Sequence, residues 1–167
     1  MIPNQRKGMA PGAQILAIDY GRARIGLAVA AAPHGLAQPL ATLERINRNE
    51  DMRRLRELVR DHFVKFILVG LPLRLDGTRG DMADEAERFA QRVRKQIGVP
   101  VEMLDERLTS WEAERELEEQ FGRRLKAGDA ASRKKMTERV SVDSMAAAII
   151  LRDYLERQTP TAEGGME

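Results

Sequence analysis

The sequence predicts one α/β domain, in which helices pack on a mixed β-sheet. β-like segments come first and are separated only by short turns, and later ones alternate with amphipathic helical segments. Strands joined by short turns run antiparallel, whereas strands separated by a helix return parallel. The length of 167 residues, 43% of them hydrophobic, suits a single buried core. We expect this domain over residues 14–157, between tails at 1–13 and 158–167.

An antiparallel meander is predicted at the start. Residues 14–20 and 24–31 are β-like and flank the sequence Gly21-Arg22-Ala23, which indicates a hairpin. Residues 36–43 supply a third strand. The meander therefore accounts for three strands before the first helix.

Helices and strands then alternate, as expected for strands that return parallel. The first helix, 50–63, has an apolar face made of Met52, Leu55, Leu58, Val59, His62 and Phe63. The later elements are a strand at 66–69, a helix at 81–97, a strand at 99–104, a helix near 109–121 and a last helix near 141–157. The sheet is thus predicted to have five strands, three antiparallel and then two parallel.

The composition excludes several kinds of site. No cysteine is present, so a disulfide scaffold, a thiol nucleophile and a cysteine zinc site are excluded. Only two histidines occur, so a metal would depend on oxygen ligands, which favours Mg²⁺ or Mn²⁺. Apolar runs do not approach the roughly 20 residues of a membrane span, and the first residues lack a signal-peptide core. We expect a cytoplasmic protein with no membrane partner.

Charge is unevenly distributed, although the net charge is only +2. Residues 105–120 carry seven acids and two bases, whereas 121–139 carry seven bases and two acids. The basic stretch, with Arg133, Lys134 and Lys135, could follow a phosphate backbone. A solvated loop is the alternative.

Three acids border segments that should be core. Asp19 ends a buried strand, Glu106 follows the 99–104 strand, and Asp143 lies in the first turn of the last helix. Each has an ordinary explanation: a turn cap, a surface ion pair or helix-dipole stabilisation. Together they indicate more, since the sheet would bring them close and a divalent cation would relieve their repulsion. Such a cluster would hold Mg²⁺ or Mn²⁺ and suit phosphodiester hydrolysis.

The hairpin offers groups that suit a phosphate ligand. Gly21 and Gly26 remove side chains beside Asp19, and Arg22 and Arg24 could face an incoming phosphate. Ordinary hairpins also contain glycine, so a bulge or tight packing at Gly26 is an equal alternative.

Four motifs carry a family resemblance. They are Ile18-Asp19-Tyr20-Gly21 continuing to Arg24-Ile25-Gly26-Leu27-Ala28-Val29, Val69-Gly70-Leu71-Pro72-Leu73 with Asp76-Gly77-Thr78, Asp105-Glu106-Arg107-Leu108-Thr109, and Val142-Asp143-Ser144-Met145-Ala146-Ala147. Over about residues 14–157 the chain resembles the RuvX/YqgF family of Holliday-junction-resolvase-like nucleases. The resemblance implies a ribonuclease H-like fold and processing of the 5′ end of the small-subunit ribosomal RNA precursor, with resolution of branched DNA as a second role.

The resemblance also implies site residues. Asp19, Glu106 and Asp143 would bind the catalytic metals, Mg²⁺ or Mn²⁺. The candidate contacts to nucleic acid are Arg22, Arg24, Arg107, Arg133, Lys134 and Lys135. The chain departs from the pattern at Ala30-Ala31-Ala32-Pro33, where many relatives have Ser-Asp, and around Asp143, where a second acid of more distant resolvases is missing. A fourth ligand is therefore unassigned; Asp105 could supply it, or exchange roles with Glu106.

Two rival functions remain open at this point. An ATP-binding domain of the sugar-kinase and actin type also begins with Ile-Asp-x-Gly in a hairpin, but its resemblance implies two lobes. A non-catalytic RNA-binding or ribosome-assembly module would explain the basic stretch alone. The expected partner is structured RNA or branched DNA, and the sequence suits a monomer or a homodimer.

Overall fold

A mixed β-sheet with helices on both faces forms the part of the chain that positions the acids. The computed structural model describes residues 9–74, 76–106, 115, 119, 122–123, 130–131 and 142–158. Its elements are β1 (Gln14–Asp19), β2 (Arg24–Ala31), β3 (Gln38–Pro39), β4 (Leu43–Glu44), α1 (Arg48–Asp61), β5 (Val64–Leu71), α2 (Asp81–Ile97), β6 (Val101–Asp105) and α3 (Val142–Gln158).

The strand order is β3-β2-β1-β5-β6, and β4 also pairs with β2. The hairpin β1–β2 is antiparallel, from the pair Gln14–Ala31 to the pair Asp19–Gly26. Strand β5 pairs parallel with β1, and β6 pairs parallel with β5. The predicted mixed sheet, antiparallel first and parallel afterwards, is confirmed.

The predicted third strand is wrong in one respect, because residues 36–43 do not form one strand. Two strands of two residues each, β3 and β4, pair with β2 instead, so the described sheet has six strands rather than five. Between the pairs Ala28–Pro39 and Ile25–Leu43, the outer segment has one residue more than β2. This extra residue is a β-bulge opposite Gly26, a feature that bends a strand and interrupts its pairing.

Two hydrophobic clusters lie on the two faces of the sheet. Helices α1 and α2 cover one face, where Phe89 is fully buried among residues of β1, β2 and β5. Helix α3 covers the other face through Ala147, Ala148 and Leu151. The alanines at 147 and 148 let α3 lie close to β1 and β2.

The helices differ from the predictions mainly at their ends. Helix α1 begins two residues earlier than predicted, because the Asn47 side chain accepts a hydrogen bond from the Glu50 N–H at 2.9 Å. It ends at Asp61, and Phe63, predicted to be buried, is 76% exposed. Val142, an apolar residue at the start of α3, is 87% exposed. The helix predicted near 109–121 and most of the basic stretch lie outside the described residues.

Among the described residues, no helix combines the length and the apolar character that crossing a bilayer would need.

Candidate active site

Asp19 is the last residue of β1 and faces α3. Side chains alternate along a strand, and Ile15 and Ala17 both belong to the cluster under α3. Asp19 continues this row, whereas Tyr20 packs on Phe89 on the opposite face with 5.2 Å between ring centroids. The buried strand therefore ends in a half-buried carboxylate directed toward the α3 side of the sheet.

Glu106 reaches Asp19 across β5. It directly follows β6, in which Leu104 pairs with Gly70. A Cβ atom at Gly70 would lie 2.2 Å from Glu106 Oε1 and 2.9 Å from Ile150 Cδ1, so a side chain there would displace the glutamate. Glycine thus leaves room for Glu106 to lie over β5 and form a side-chain hydrogen bond with Asp19.

The register also distinguishes the two neighbouring acids at the end of β6, Asp105 and Glu106. Leu104 packs under α3, and Glu106, two residues later, lies on the same face. Val101 and Met103 pack under α1 and α2, so the alternation places Asp105 with them. The structure thus places Glu106 beside Asp19, while Asp105 acts on Glu106 through its charge.

Asp143 approaches from above the hairpin, at the start of α3. A Cβ atom at Gly26 would lie 2.0 Å from the backbone oxygen of Asp143, so only glycine lets the helix come this close. Gly26 is also the strand partner of Asp19. The next residue, Ser144, is fully buried, and its Oγ lies 3.0 Å from Oγ1 of Thr42 in the bulge. The close approach at Gly26 and the contact between Ser144 and Thr42 therefore fix where α3 begins relative to Asp19.

Arg24 forms an ion pair with one of these acids. Its Nε lies 3.2 Å from Oδ2 of Asp143, and both side chains are partly open to solvent. Arg24 was predicted to face a phosphate, and the structure places it at the rim of the acids. An arginine in this position offers remaining N–H donors to an approaching anion.

Burial and mutual repulsion alter the acidity of the group. Burial raises the pKa of Asp19, and the negative charge of Asp143 raises it further, although the hydrogen bond from Glu106 opposes this. Burial, the hydrogen bond to Asp19 and the charges of Asp19 and Asp105 raise the pKa of Glu106 to about 8. Asp19 and Glu106 therefore share a proton at neutral pH, and we call them the acid pair.

The donor set suits a hard divalent cation. All three side chains offer carboxylate oxygens, the ligands that Mg²⁺ and Mn²⁺ prefer. Within the described ranges, no three acids or histidines are grouped tightly enough to hold a metal ion as they stand. The reason is visible in the contacts: the acid pair is closed by its own hydrogen bond, and Arg24 holds Asp143. The chemistry fits a cation that replaces the shared proton.

The other predicted contacts have different positions. Arg22 forms an ion pair of 2.8 Å with Glu85 of α2, which draws it toward the α1 and α2 face. Arg107, Arg133, Lys134 and Lys135 lie outside the described residues. The strand predicted at 66–69 extends through Gly70 to Leu71, and a glycine that interrupts an apolar strand is the sequence signal for the space that Glu106 occupies.

Comparison with known proteins identifies a family for this chain. A family model described as "RuvX: Holliday junction resolvase" matches residues 13–157. The chain belongs to the RuvX family. A relative from Anaeromyxobacter sp. (strain K), named "Putative pre-16S rRNA nuclease", is 43% identical over 145 residues, which cover 87% of this chain and 98% of that protein. A relative of the same name from Azotobacter vinelandii is 39% identical over 141 residues, covering 84% and 92%.

Solved structures show the fold of this RuvX family member. The Thermus thermophilus RuvC structure matches with a TM-score of 0.50 and 14% identity, covering 84% of this chain and 92% of that one. RuvC from the same organism in complex with a Holliday junction substrate matches with a TM-score of 0.50 and 15% identity, covering 88% and 97%. The predicted ribonuclease H-like fold is confirmed, and the family is one of nucleases.

Proposed function

We propose that this RuvX family member hydrolyses phosphodiester bonds with Mg²⁺ or Mn²⁺ held by Asp19, Glu106 and Asp143. The observation that carries the proposal is the acid pair. Its Glu106 carboxyl lies over Gly70, and the charge of Asp143 is close enough to raise the pKa of Asp19. Buried carboxylates that repel one another destabilise a fold unless a cation or a proton compensates them. Their assembly at the ends of β1 and β6 thus supports a catalytic role.

Each residue has a separate task in this proposal. A bound divalent cation would lower the pKa of water and neutralise charge on a phosphodiester. Asp19 and Glu106 would release their shared proton to solvent, so that both could present oxygen ligands to the cation. Asp143 completes the set of ligands from α3. Arg24 keeps the Asp143 carboxylate oriented and directs its remaining N–H donors toward a phosphate. The apolar floor formed by Leu68 and Ile150 limits water beneath the site.

We propose the small-subunit ribosomal RNA precursor as the substrate, cut near its 5′ end in the cytoplasm. The names of the relatives support an RNA substrate, since they specify a pre-16S rRNA nuclease. The family description supports branched DNA as a second candidate. A non-catalytic RNA-binding module is the alternative, and it does not account for three acids gathered at one sheet edge.

The nucleic-acid contacts are proposed on charge. Arg24 borders the acids, and Arg22 lies at the tip of the same hairpin. Arg107 directly follows Glu106 in the chain. The remaining proposed contacts, in the basic stretch, are Arg133, Lys134 and Lys135. Basic side chains that neutralise phosphates make binding fall steeply with salt, which gives these residues a measurable signature.

Cleavage assays test the proposal directly. Structured RNA and a four-way DNA junction are incubated with Mg²⁺ or Mn²⁺ and either wild type, Asp19→Asn or Asp143→Asn. We expect each variant to lose cleavage by about a hundredfold or more while binding is largely kept. Asp61→Asn, which removes an exposed acid at the end of α1, is the matched control and should cleave like wild type. Equal cleavage by wild type and the Asp19 variant would refute the assigned site.

A further inference from the structure

Four arginines surround a cavity on the face of the sheet opposite to the acid pair. The cavity has a volume of about 280 Å³. Its lining consists of Tyr20, Arg45, Arg48, Glu85, Arg88 and Arg92. We call it the arginine cavity. It lies between the end of β1 and the helices α1 and α2, and it is separate from the site proposed above.

Positive charge in the arginine cavity exceeds the negative charge that faces it. Glu85, the one acid in the lining, has both carboxylate oxygens engaged by Arg22 and accepts a further hydrogen bond from the Tyr20 hydroxyl. Arg45 is paired with Asp51 at 3.1 Å. Among the described residues, no carboxylate lies within ion-pair distance of the other three arginines. Within the described part of the chain, Arg48, Arg88 and Arg92 therefore form no ion pair, although the charges of Arg88 and Glu85 interact at longer range.

Arg92 shows the cost of this arrangement most clearly. Its Nε atom is buried and has no hydrogen-bond partner among the described residues. Burial lowers the pKa of Arg92, and the charges of Arg48, Arg45 and Arg88 lower it further. A buried N–H donor without a partner and repulsion between like charges both destabilise the folded state. An anion in the cavity would relieve both.

We propose that the arginine cavity is a second binding site, which takes a phosphate group. Guanidinium groups match phosphate oxygens in charge and in the geometry of paired N–H donors. Tyr20, whose hydroxyl borders the cavity, directly follows Asp19 in the chain, so the two sites lie on opposite faces of one strand end. A nucleic-acid strand that passes around the hairpin could therefore place one phosphate at the acids and another in the cavity. This source of the phosphate rests on the proposed function.

The first test measures inorganic phosphate binding to the metal-free protein by NMR titration of the arginine Nε–H signals. Arg88→Gln and Arg92→Gln each remove one charge from the cavity; Arg88 is exposed, so its replacement should leave folding intact. Arg56→Gln removes an exposed charge from α1 outside the lining and is the matched control. We expect both cavity variants to weaken binding by about tenfold, and the control by less than about twofold. No saturable binding to wild type, or equal binding by all variants, would overturn the proposal.

The second test identifies the source of the phosphate. Affinity for a structured RNA is measured by fluorescence anisotropy in EDTA, so that cleavage plays no part. Weaker RNA binding by the Arg88 and Arg92 variants with a smaller salt dependence assigns the site to a backbone phosphate. Unchanged RNA affinity together with lost inorganic phosphate binding assigns it to a free phosphate or mononucleotide. Failure of the nuclease proposal would be seen separately, as cleavage that survives Asp19→Asn.

Discussion

Replacing Glu106 with glutamine should stabilise the metal-free protein at alkaline pH. Burial and the contact with Asp19 raise the pKa of Glu106 from 4.5 to about 8, so the folded state keeps a proton that the unfolded state releases. The contribution of Glu106 to folding stability is therefore fully present below about pH 4.5 and is lost as the pH rises through about 8. Glutamine has no proton to lose, so the variant should escape this loss.

The size of the effect follows from the pKa. A tenfold change in proton affinity corresponds to about 1.4 kcal/mol, which sets an upper limit of about 5 kcal/mol between 4.5 and 8. The carboxyl is partly exposed and titrates together with Asp19, so we expect about 2–3 kcal/mol. In a domain of this size, that difference raises Tm by roughly 5–10 °C. Urea unfolding in EDTA, followed by circular dichroism near about pH 5 and about pH 8.5, measures it.

A matched control separates this effect from a general loss of charge. Glu102→Gln removes an exposed glutamate from the same strand, β6, and should change the free energy of unfolding by less than about 0.5 kcal/mol at either pH. Two results would refute the raised pKa of Glu106. One is a Glu106→Gln variant no more stable than wild type at the higher pH, and the other is an equal gain in the free energy of unfolding at both pH values.

Three further predictions concern packing and charge. Gly70→Ala should push the Glu106 carboxyl away from Asp19 and lower cleavage by about tenfold or more, at a cost of only about 1–2 kcal/mol in urea unfolding; wild-type cleavage would contradict it. Asp51→Asn should lower the free energy of unfolding by about 3 kcal/mol, because its arginine partner would be left partly buried without a counter-charge; a loss below about 1 kcal/mol would count against this. Replacing Lys134 and Lys135 with alanine should weaken RNA binding and flatten its salt dependence, and an unchanged slope would argue against a phosphate-tracking segment.

Much of the fold could be predicted because local patterns and long-range packing agree. The β1–β2 hairpin was located to within a residue, since apolar runs flank an obvious turn. Helix α2 was predicted with its observed bounds, 81–97, because its apolar spacing ends at Gly98, which has φ +75°. The prediction of a single strand at 36–43 was wrong because a bulge depends on the register of the partner strand, which the local sequence does not encode.

The acids of the site were predictable as a set, but their contacts were not. Each acid lies at the end of a segment predicted to be core, and the ends of neighbouring strands lie close together at one edge of a sheet. The choice between Asp105 and Glu106 required the register of β6 against β5. The role of Gly70 required knowing which side chain crosses above it. Both depend on neighbours that are distant in the chain.

The arginine cavity could not be predicted from the sequence. Arg48 is the first residue of α1 and Arg45 lies three residues before it, whereas Arg88 and Arg92 lie one turn apart on α2. Arginines at helix surfaces are usually solvated, so the pattern alone indicates an exposed face. Only the packing of the two helices beside Tyr20 brings the four together.

Direct binding of Mn²⁺, followed by electron paramagnetic resonance, tests the central claim most directly. Wild type should bind the ion saturably, and Asp19→Asn, Glu106→Gln and Asp143→Asn should each weaken binding by about tenfold or more, because each removes one carboxylate ligand. Asp61→Asn should bind like wild type. Wild-type affinity in any of the three site variants would contradict a cation held jointly by these acids.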